Sequence, residues 1–145
     1  MSELPQMQVL EAGDCTWWWN DQGHLHRVDG PAYEGADGAR TWWLNDERHR
    51  EDGPAVEGAD GFRSWWLNGL RHRVDGPAVE RADGGREWWL NGKRHRVDGP
   101  AVERADGTRS WWLNGEELKF DEYVNCVFPQ DSQEKILFIL RWSGK

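Results

Sequence analysis

Histidine, cysteine and carboxylate side chains bind metals and move protons, and this chain sets them out at a fixed interval. His26, His49, His72 and His95 recur, each followed by an arginine (Arg27, Arg50, Arg73, Arg96) and then by an aspartate (Asp29, Asp52, Asp75, Asp98). A zinc ion needs its ligands about 2.0–2.3 Å away. If the units stack as strands, two per unit, equivalent residues lie about 10 Å apart and cannot share one ion. His24 and His26, with Cys15 upstream, are the sole close cluster; they fit either a metal site or a loop in an irregular first unit. The carboxylates recur with the unit instead of converging as an unequal acid–base pair, so general acid–base catalysis has no candidate. No Gly-rich phosphate loop, nucleophile elbow or HExxH string is present. The expectation is a chain that is not an enzyme and needs no cofactor or metal. Its His49, His72, His95, Asp52, Asp75 and Asp98 then bond one unit to the next.

The interval belongs to a longer repeat. Three copies read WWLNDERHREDGPAVEGADGFRS, WWLNGLRHRVDGPAVERADGGRE and WWLNGKRHRVDGPAVERADGTRS, beginning at Trp42, Trp65 and Trp88 with a period of 23 residues. A looser copy starts at Trp17, two residues longer, and a truncated one at Trp111 ends after Gly115. Such self-similarity means units that bury their apolar faces only against their neighbours. Within a unit Asp98-Gly99-Pro100, Ala105-Asp106-Gly107 and Asn114-Gly115 mark turns, because Gly, Asn and Asp tolerate positive φ. The stretches between, such as Ala101–Arg104 and Thr108–Leu113, are short and hold strand-forming residues. The predicted fold is therefore mainly β: a single-layer antiparallel meander of about four hairpin units, one hairpin to a unit. It divides into a lead-in over 1–15, the array over 16–115 and a capping segment over 116–145.

Alternation along a strand separates the two tryptophans of each pair. Trp42, Trp65, Trp88 and Trp111 share a face with Leu44, Leu67, Leu90 and Leu113, which marks them as the better-buried ladder; Trp43, Trp66, Trp89 and Trp112 take the other face. Arg40, Arg63, Arg86 and Arg109 precede the first tryptophans by two residues and are placed to stack on indoles and pair with acids of the neighbouring unit. Trp and Arg dominate protein-binding hot spots, so Trp66, Trp89, Arg73 and Arg96 of the central units are the candidate binding residues. In the last segment, 121–128 suits a short helix with acids at its start, and Pro129 stops it. Asp131 and Glu134 have capping-box spacing ahead of KILFILRW, a stretch that fits a helix or a closing strand.

Length and composition narrow the classes further. A chain of 145 residues is ordinarily one domain, and its mean hydropathy of −0.92 would suit disorder were it not for twelve Trp. Each indole can bury roughly 200 Å². The net charge of −8, with acids and bases interleaved through the repeats, argues against duplex DNA as partner. Cys15 and Cys126 make no disulfide framework and are expected as reduced thiols. With no apolar run of about 18 residues and no signal-like start, a cytoplasmic location without a membrane span is expected.

The frame Trp89-x-x-Gly92-x-x-His95-x-x-x-Gly99 resembles the MORN repeat, whose aromatic-x-x-Gly-x-x-His core has a similar period. It looks closest to the variant MORN-like arrays of bacterial and phage proteins, over roughly residues 16–115. Arg50, Arg73 and Arg96 depart from the Gly that usually follows the MORN His, and Trp pairs replace the family's Tyr and Phe. The resemblance implies hairpin arrays used for protein or membrane association, some bacterial ones being antitoxins, and it implies no catalytic residue. The expected function is a rigid Trp- and Arg-rich sheet that binds a protein, in its sharper form an inhibitor or antitoxin acting on a host protein. Two alternatives stay open: aromatic cages for a choline- or glycan-like ligand, and stacking of single-stranded nucleic acid.

Overall fold

The computed structural model describes residues 7–144, and its centre is one antiparallel sheet of eleven strands. The sheet starts with the hairpin Gln8–Ala12 and Cys15–Trp19, turned at Gly13 with φ 63°. It continues through Tyr33–Glu34 and Arg40–Thr41, then Val56–Glu57 and Arg63–Ser64, then Val79–Glu80 and Arg86–Glu87, then Val102–Glu103 and Arg109–Leu113. Glu116–Leu118 is the last strand. Neighbours in sequence are neighbours in the sheet, the meander expected from the repeat. It runs past both ends of the 16–115 array, since Gln8–Ala12 and Glu116–Leu118 belong to it.

Each unit turns at Ala-Asp-Gly. Gly38, Gly61, Gly84 and Gly107 have φ between 86° and 94°, a region in which side-chain-bearing residues are strained. The Asp before each Gly accepts a hydrogen bond from the backbone N–H two residues on, at 2.9 Å in all four turns.

The structure departs from one hairpin per unit. The strand expected across Arg86–Leu90 breaks at Trp88, and Trp89–Leu90 pairs instead with Lys93–Arg94 across an Asn-Gly turn. Trp66–Leu67 pairs in the same way with Leu70–Arg71, and Trp43–Leu44 with Glu47–Arg48 across Asn45-Asp46. Asn68 and Asn91 at φ 49°, followed by Gly69 at 77° and Gly92 at 79°, are the positive-φ pairs of a type I′ turn. The units that begin at Trp42, Trp65 and Trp88 thus hold two hairpins each, and the second set is tied unit to unit: Gly92 N–H donates to the Arg71 carbonyl at 2.9 Å, and Arg73 N–H to the Trp89 carbonyl at 3.1 Å. The break is possible because the N–H of the first Trp finds a partner elsewhere. Trp42, Trp65 and Trp88 donate to the carbonyls of Ala55, Ala78 and Ala101 at 2.8 Å. These alanines are fully buried, and with Val79 and Val102 they form the thin spine of the array.

Only at the C-terminal end does a thicker core appear. Helix α1 (Phe120–Val127) begins where the next unit's His-Arg loop would be, and α2 (Gln133–Trp142) folds back over the same ground. KILFILRW is thus helical, not a closing strand. Its N-cap is Ser132, one residue after the expected Asp131: the Ser132 hydroxyl accepts from Lys135 N–H at 3.1 Å, while Asp131 pairs with the Lys135 ammonium. Trp111, Tyr123 and Val124 are buried together, packed by Phe120, Phe138 and Trp142 among others. Tyr123 is wholly enclosed, and burial pushes its phenol up to about 12.

Candidate functional site

The two tryptophans of each pair end up in separate rows with different surroundings. In the row of first tryptophans an arginine of the same unit sits over each of three rings: Arg50 over Trp42, Arg73 over Trp65 and Arg96 over Trp88, at 3.9, 3.9 and 3.8 Å from the ring centroid. Arg73 is fixed from the other side, its Nε donating to Asp75 at 3.0 Å and its Nη1 to the Pro77 carbonyl at 3.1 Å and to Glu80 at 3.3 Å. Arg96 repeats this with Asp98 at 2.8 Å and the Pro100 carbonyl at 3.0 Å. These arginines account for the glycine of Asp-Gly-Pro. Gly30, Gly53, Gly76 and Gly99 are not at positive φ, so they are not the turn glycines expected from sequence; a Cβ on Gly99 would lie 2.7 Å from the Arg96 guanidinium carbon. They leave room for the arginine to fold back.

Arg40, Arg63 and Arg86 hold acids of the next unit, Glu57, Glu80 and Glu103, at 2.7 to 2.9 Å. The histidines bond in the same direction. Nδ1 of His26, His49, His72 and His95 accepts the backbone N–H of Asn45, Asn68, Asn91 and Asn114, 19 residues ahead, at 2.9 to 3.1 Å. An Nδ1 that accepts there carries no proton, so this bond fixes the tautomer. Cys15 lies against the Tyr33 hydroxyl and His24 against Asp46, which keeps Cys15, His24 and His26 from meeting. Among the described residues no group of three or more His, Cys, Asp or Glu is placed to hold a metal ion.

Between successive units this face opens into three grooves. The first is walled by Arg27–Pro31 on one side and Trp42, Leu44 and His49–Asp52 on the other, with a volume of about 780 Å³. The second repeats it with Arg50–Pro54, Trp65, Leu67 and His72–Asp75, about 520 Å³. The third does so with Arg73–Pro77, Trp88, Leu90 and His95–Asp98, about 530 Å³. Trp42, Trp65 and Trp88 are half-buried on their floors, and exposed Val28, Val74 and Val97 stand at the rims.

The row of second tryptophans is filled. Arg48 lies between Trp43 and Trp66, Arg71 between Trp66 and Trp89, and Arg94 between Trp89 and Trp112, every guanidinium 4.8 to 5.2 Å from the ring centroids. The result is an unbroken alternation of seven side chains. Each indole N–H is also bound: Trp43 to Thr41, Trp66 to Ser64 and Trp112 to Ser110 at 2.7 to 2.8 Å. In the third unit Glu87 replaces the hydroxyl. Its buried carboxylate accepts from Trp89 at 3.1 Å, from Arg94 and from Arg81. Burial pushes the Glu87 carboxyl up, but the Arg81 hydrogen bond and the Arg94 charge outweigh it, and its pKa falls below the ordinary glutamate value. Where the other units carry Ser or Thr, Arg48 Nε and Arg71 Nε are buried without a hydrogen-bond partner among the described residues.

The four residues singled out as binding candidates do not form one site. Trp66 and Trp89 sit in the filled ladder, sharing Arg71 between them; Arg73 and Arg96 belong to the other row and line the third groove together. Arg48, Arg71, Arg94 and Glu87, which build the ladder, were not singled out from the sequence. A signal was there: each of these arginines precedes the recurring histidine and stands directly across the Asn-Gly or Asn-Asp turn from the second Trp, in the register Trp66 with Arg71. No helix among the described residues is long and apolar enough to cross a membrane. The chain matches no family model, no curated protein and no solved structure.

Proposed function

We propose that the chain is a protein-binding repeat module, MORN-like in its units, that engages its partner through the groove face. The observation that carries this is the threefold recurrence of one groove, each with a half-buried Trp on its floor and at least one exposed valine at its rim, along a sheet stiffened by backbone and side-chain bonds from unit to unit. A large partner can touch all three at once, which suits a repeat surface. The ligand alternatives are weaker on the same ground. Bases or quaternary ammonium groups need free aromatic faces, and in the ladder those between Trp43 and Trp112 already carry arginine. The sharper form of the proposal is an inhibitor or antitoxin: its partner is an enzyme or toxin whose activity falls when the module is added.

The test uses the rim. Val74 is 83% exposed and borders both the second and third grooves, and the corresponding position of the unit before is Glu51. Val74→Glu therefore leaves the fold intact while putting a charge on the face. A partner recovered from host cells, identified, and purified is expected to bind the wild type and to lose at least tenfold in affinity for Val74→Glu, with unchanged circular dichroism. Equal affinity for both proteins would exclude this face.

A further inference from the structure

The array has a fourth copy of the groove, and it is occupied. Arg96–Pro100 and Trp111 stand where Arg73–Pro77 and Trp88 stand one unit earlier. In that position Tyr123 of α1 lies on Trp111, ring centroids 4.9 Å apart, and its hydroxyl reaches two loop carbonyls, those of Arg96 and Gly99, the latter at 3.0 Å. Phe120, one turn earlier on the helix, packs on the same indole at 4.8 Å. The chain thus carries its own example of what fits this groove: a short helix with Phe and Tyr three residues apart, the phenol bridging the tryptophan floor and the carbonyl pair.

The upstream grooves offer the same loop carbonyls and tryptophan without the helix, one face of each ring carrying an arginine, Arg50 on Trp42, Arg73 on Trp65 and Arg96 on Trp88. Among the described residues no hydrogen bond from the protein reaches the carbonyls of Arg50, Gly53, Arg73 or Gly76. Trp65 and Trp88 lie half-open beside them, while Trp111 is only 8% exposed. We infer that the three open grooves are receptors for an amphipathic helix of a protein partner, each taking one tyrosine whose hydroxyl sits at the loop carbonyl pair, donating its one proton there, and whose ring rests on the groove tryptophan. This rests on the groove face being the binding face, and it names the occupant by its chemistry. Only a neutral phenol can donate this bond, and an aliphatic residue would leave the carbonyls bare.

The experiment uses the full chain and a probe built from its own α1: residues 119–127 with Cys126→Ser, held helical by a lactam between Asp121 and a lysine introduced by Asn125→Lys, both at exposed positions. Indole N–H signals, assigned by single Trp→Phe substitutions, report where it lands. Addition of up to about 1 mM peptide is expected to move the signals of Trp42, Trp65 and Trp88 in a saturable way and to leave Trp111, Trp66 and Trp89 in place. A Tyr123→Phe version of the peptide is expected to bind about fivefold more weakly, the worth of one net hydrogen bond. Shifts confined to Trp111 would mean exchange with the resident cap, and shifts at Trp66 and Trp89 would mean adhesion to the ladder; either overturns the assignment, as does the absence of any shift. Equal affinity of the Tyr and Phe peptides would remove the carbonyl pair from it. A concentration-dependent dimer of the full chain, with the Trp42, Trp65 and Trp88 signals moving as it forms, would identify the occupant as a second copy and overturn the heterologous partner. If a purified partner is lost on Val74→Glu while the peptide moves nothing, the interaction reading stands and this one falls.

Discussion

Trp88 and Trp111 hold the same register in successive units, yet one lies half-open on a groove floor and the other is closed under two helices. Their own units are nearly identical up to the Asn-Gly turn, and they diverge directly after it. Beyond Gly92 the chain writes Lys-Arg-His-Arg, which returns an arginine to the ring and a loop to the rim; beyond Gly115 it writes Glu-Glu-Leu-Lys-Phe, which starts α1. A repeat position therefore has no fixed burial. Its role as floor or core is decided by the segment that comes next.

The largest effect expected from this contrast is in stability. Trp111→Ala removes a ring packed by Phe120, Tyr123, Phe138 and Trp142, and about 3–5 kcal/mol is expected to go with it. Trp88→Ala loses one arginine stack and a half-buried face, and about half of that loss is expected, since less area returns to water. Urea unfolding of both variants measures the pair. Equal losses would erase the distinction between groove floor and cap core.

A second contrast lies across the strand rather than along the array. The groove row leaves wide space between units; in the ladder row Arg71 stands between Trp66 and Trp89, and Arg48 and Arg94 repeat it on either side, with a smaller recess of about 340 Å³ beside Trp89, Arg94 and Trp112. Burial lowers the Arg71 pKa from its ordinary value, with Glu87 countering it, which fits a guanidinium held away from water. Arg71→Ala is expected to cost about 1–2 kcal/mol, the sum of two cation–π contacts. Arg71→Lys is expected to recover less than half, since an ammonium cannot lie flat against two rings. A lysine variant as stable as wild type would reduce the ladder to charge alone.

How far these contrasts could be read from the sequence depends on the link each belongs to. The meander was legible because Ala-Asp-Gly and Asn-Gly state their turns locally. The split of the two tryptophans into rows was legible because strand alternation is short-range. The break at Trp88 was not, since it depends on the Ala101 carbonyl, beyond the second hairpin and the loop, being free to take the Trp88 N–H. The glycine of Asp-Gly-Pro was legible as a recurring turn mark but for the wrong reason: it serves side-chain space, which only the folded Arg96 reveals. Tyr123 in the fourth groove was hidden entirely, because a helix and a loop that share no motif compete for the same place there. The ladder arginines sit between these cases. Their spacing was in plain view, and the cross-turn register would have found them.

Glu87 offers the smallest and sharpest test, because the neighbouring units already contain its replacement. Ser64 and Ser110 take the Trp66 and Trp112 indole N–H groups, so Glu87→Ser keeps an acceptor for Trp89 and removes only the ion pairs to Arg81 and Arg94. Both arginines keep part of their surface in water and can rehydrate, so the cost near neutral pH is expected within about 1 kcal/mol. The lowered pKa sets the sign of the pH dependence. A carboxylate favoured by the fold contributes fully above the ordinary glutamate value, and that contribution fades as pH falls through the depressed folded value. Wild type is thus expected to hold its small advantage over Glu87→Ser at neutral pH and to lose it in acid, the two unfolding curves converging. Curves that stay apart down to full protonation would show that Glu87 acts by its shape, filling space under Arg81, and not by its charge.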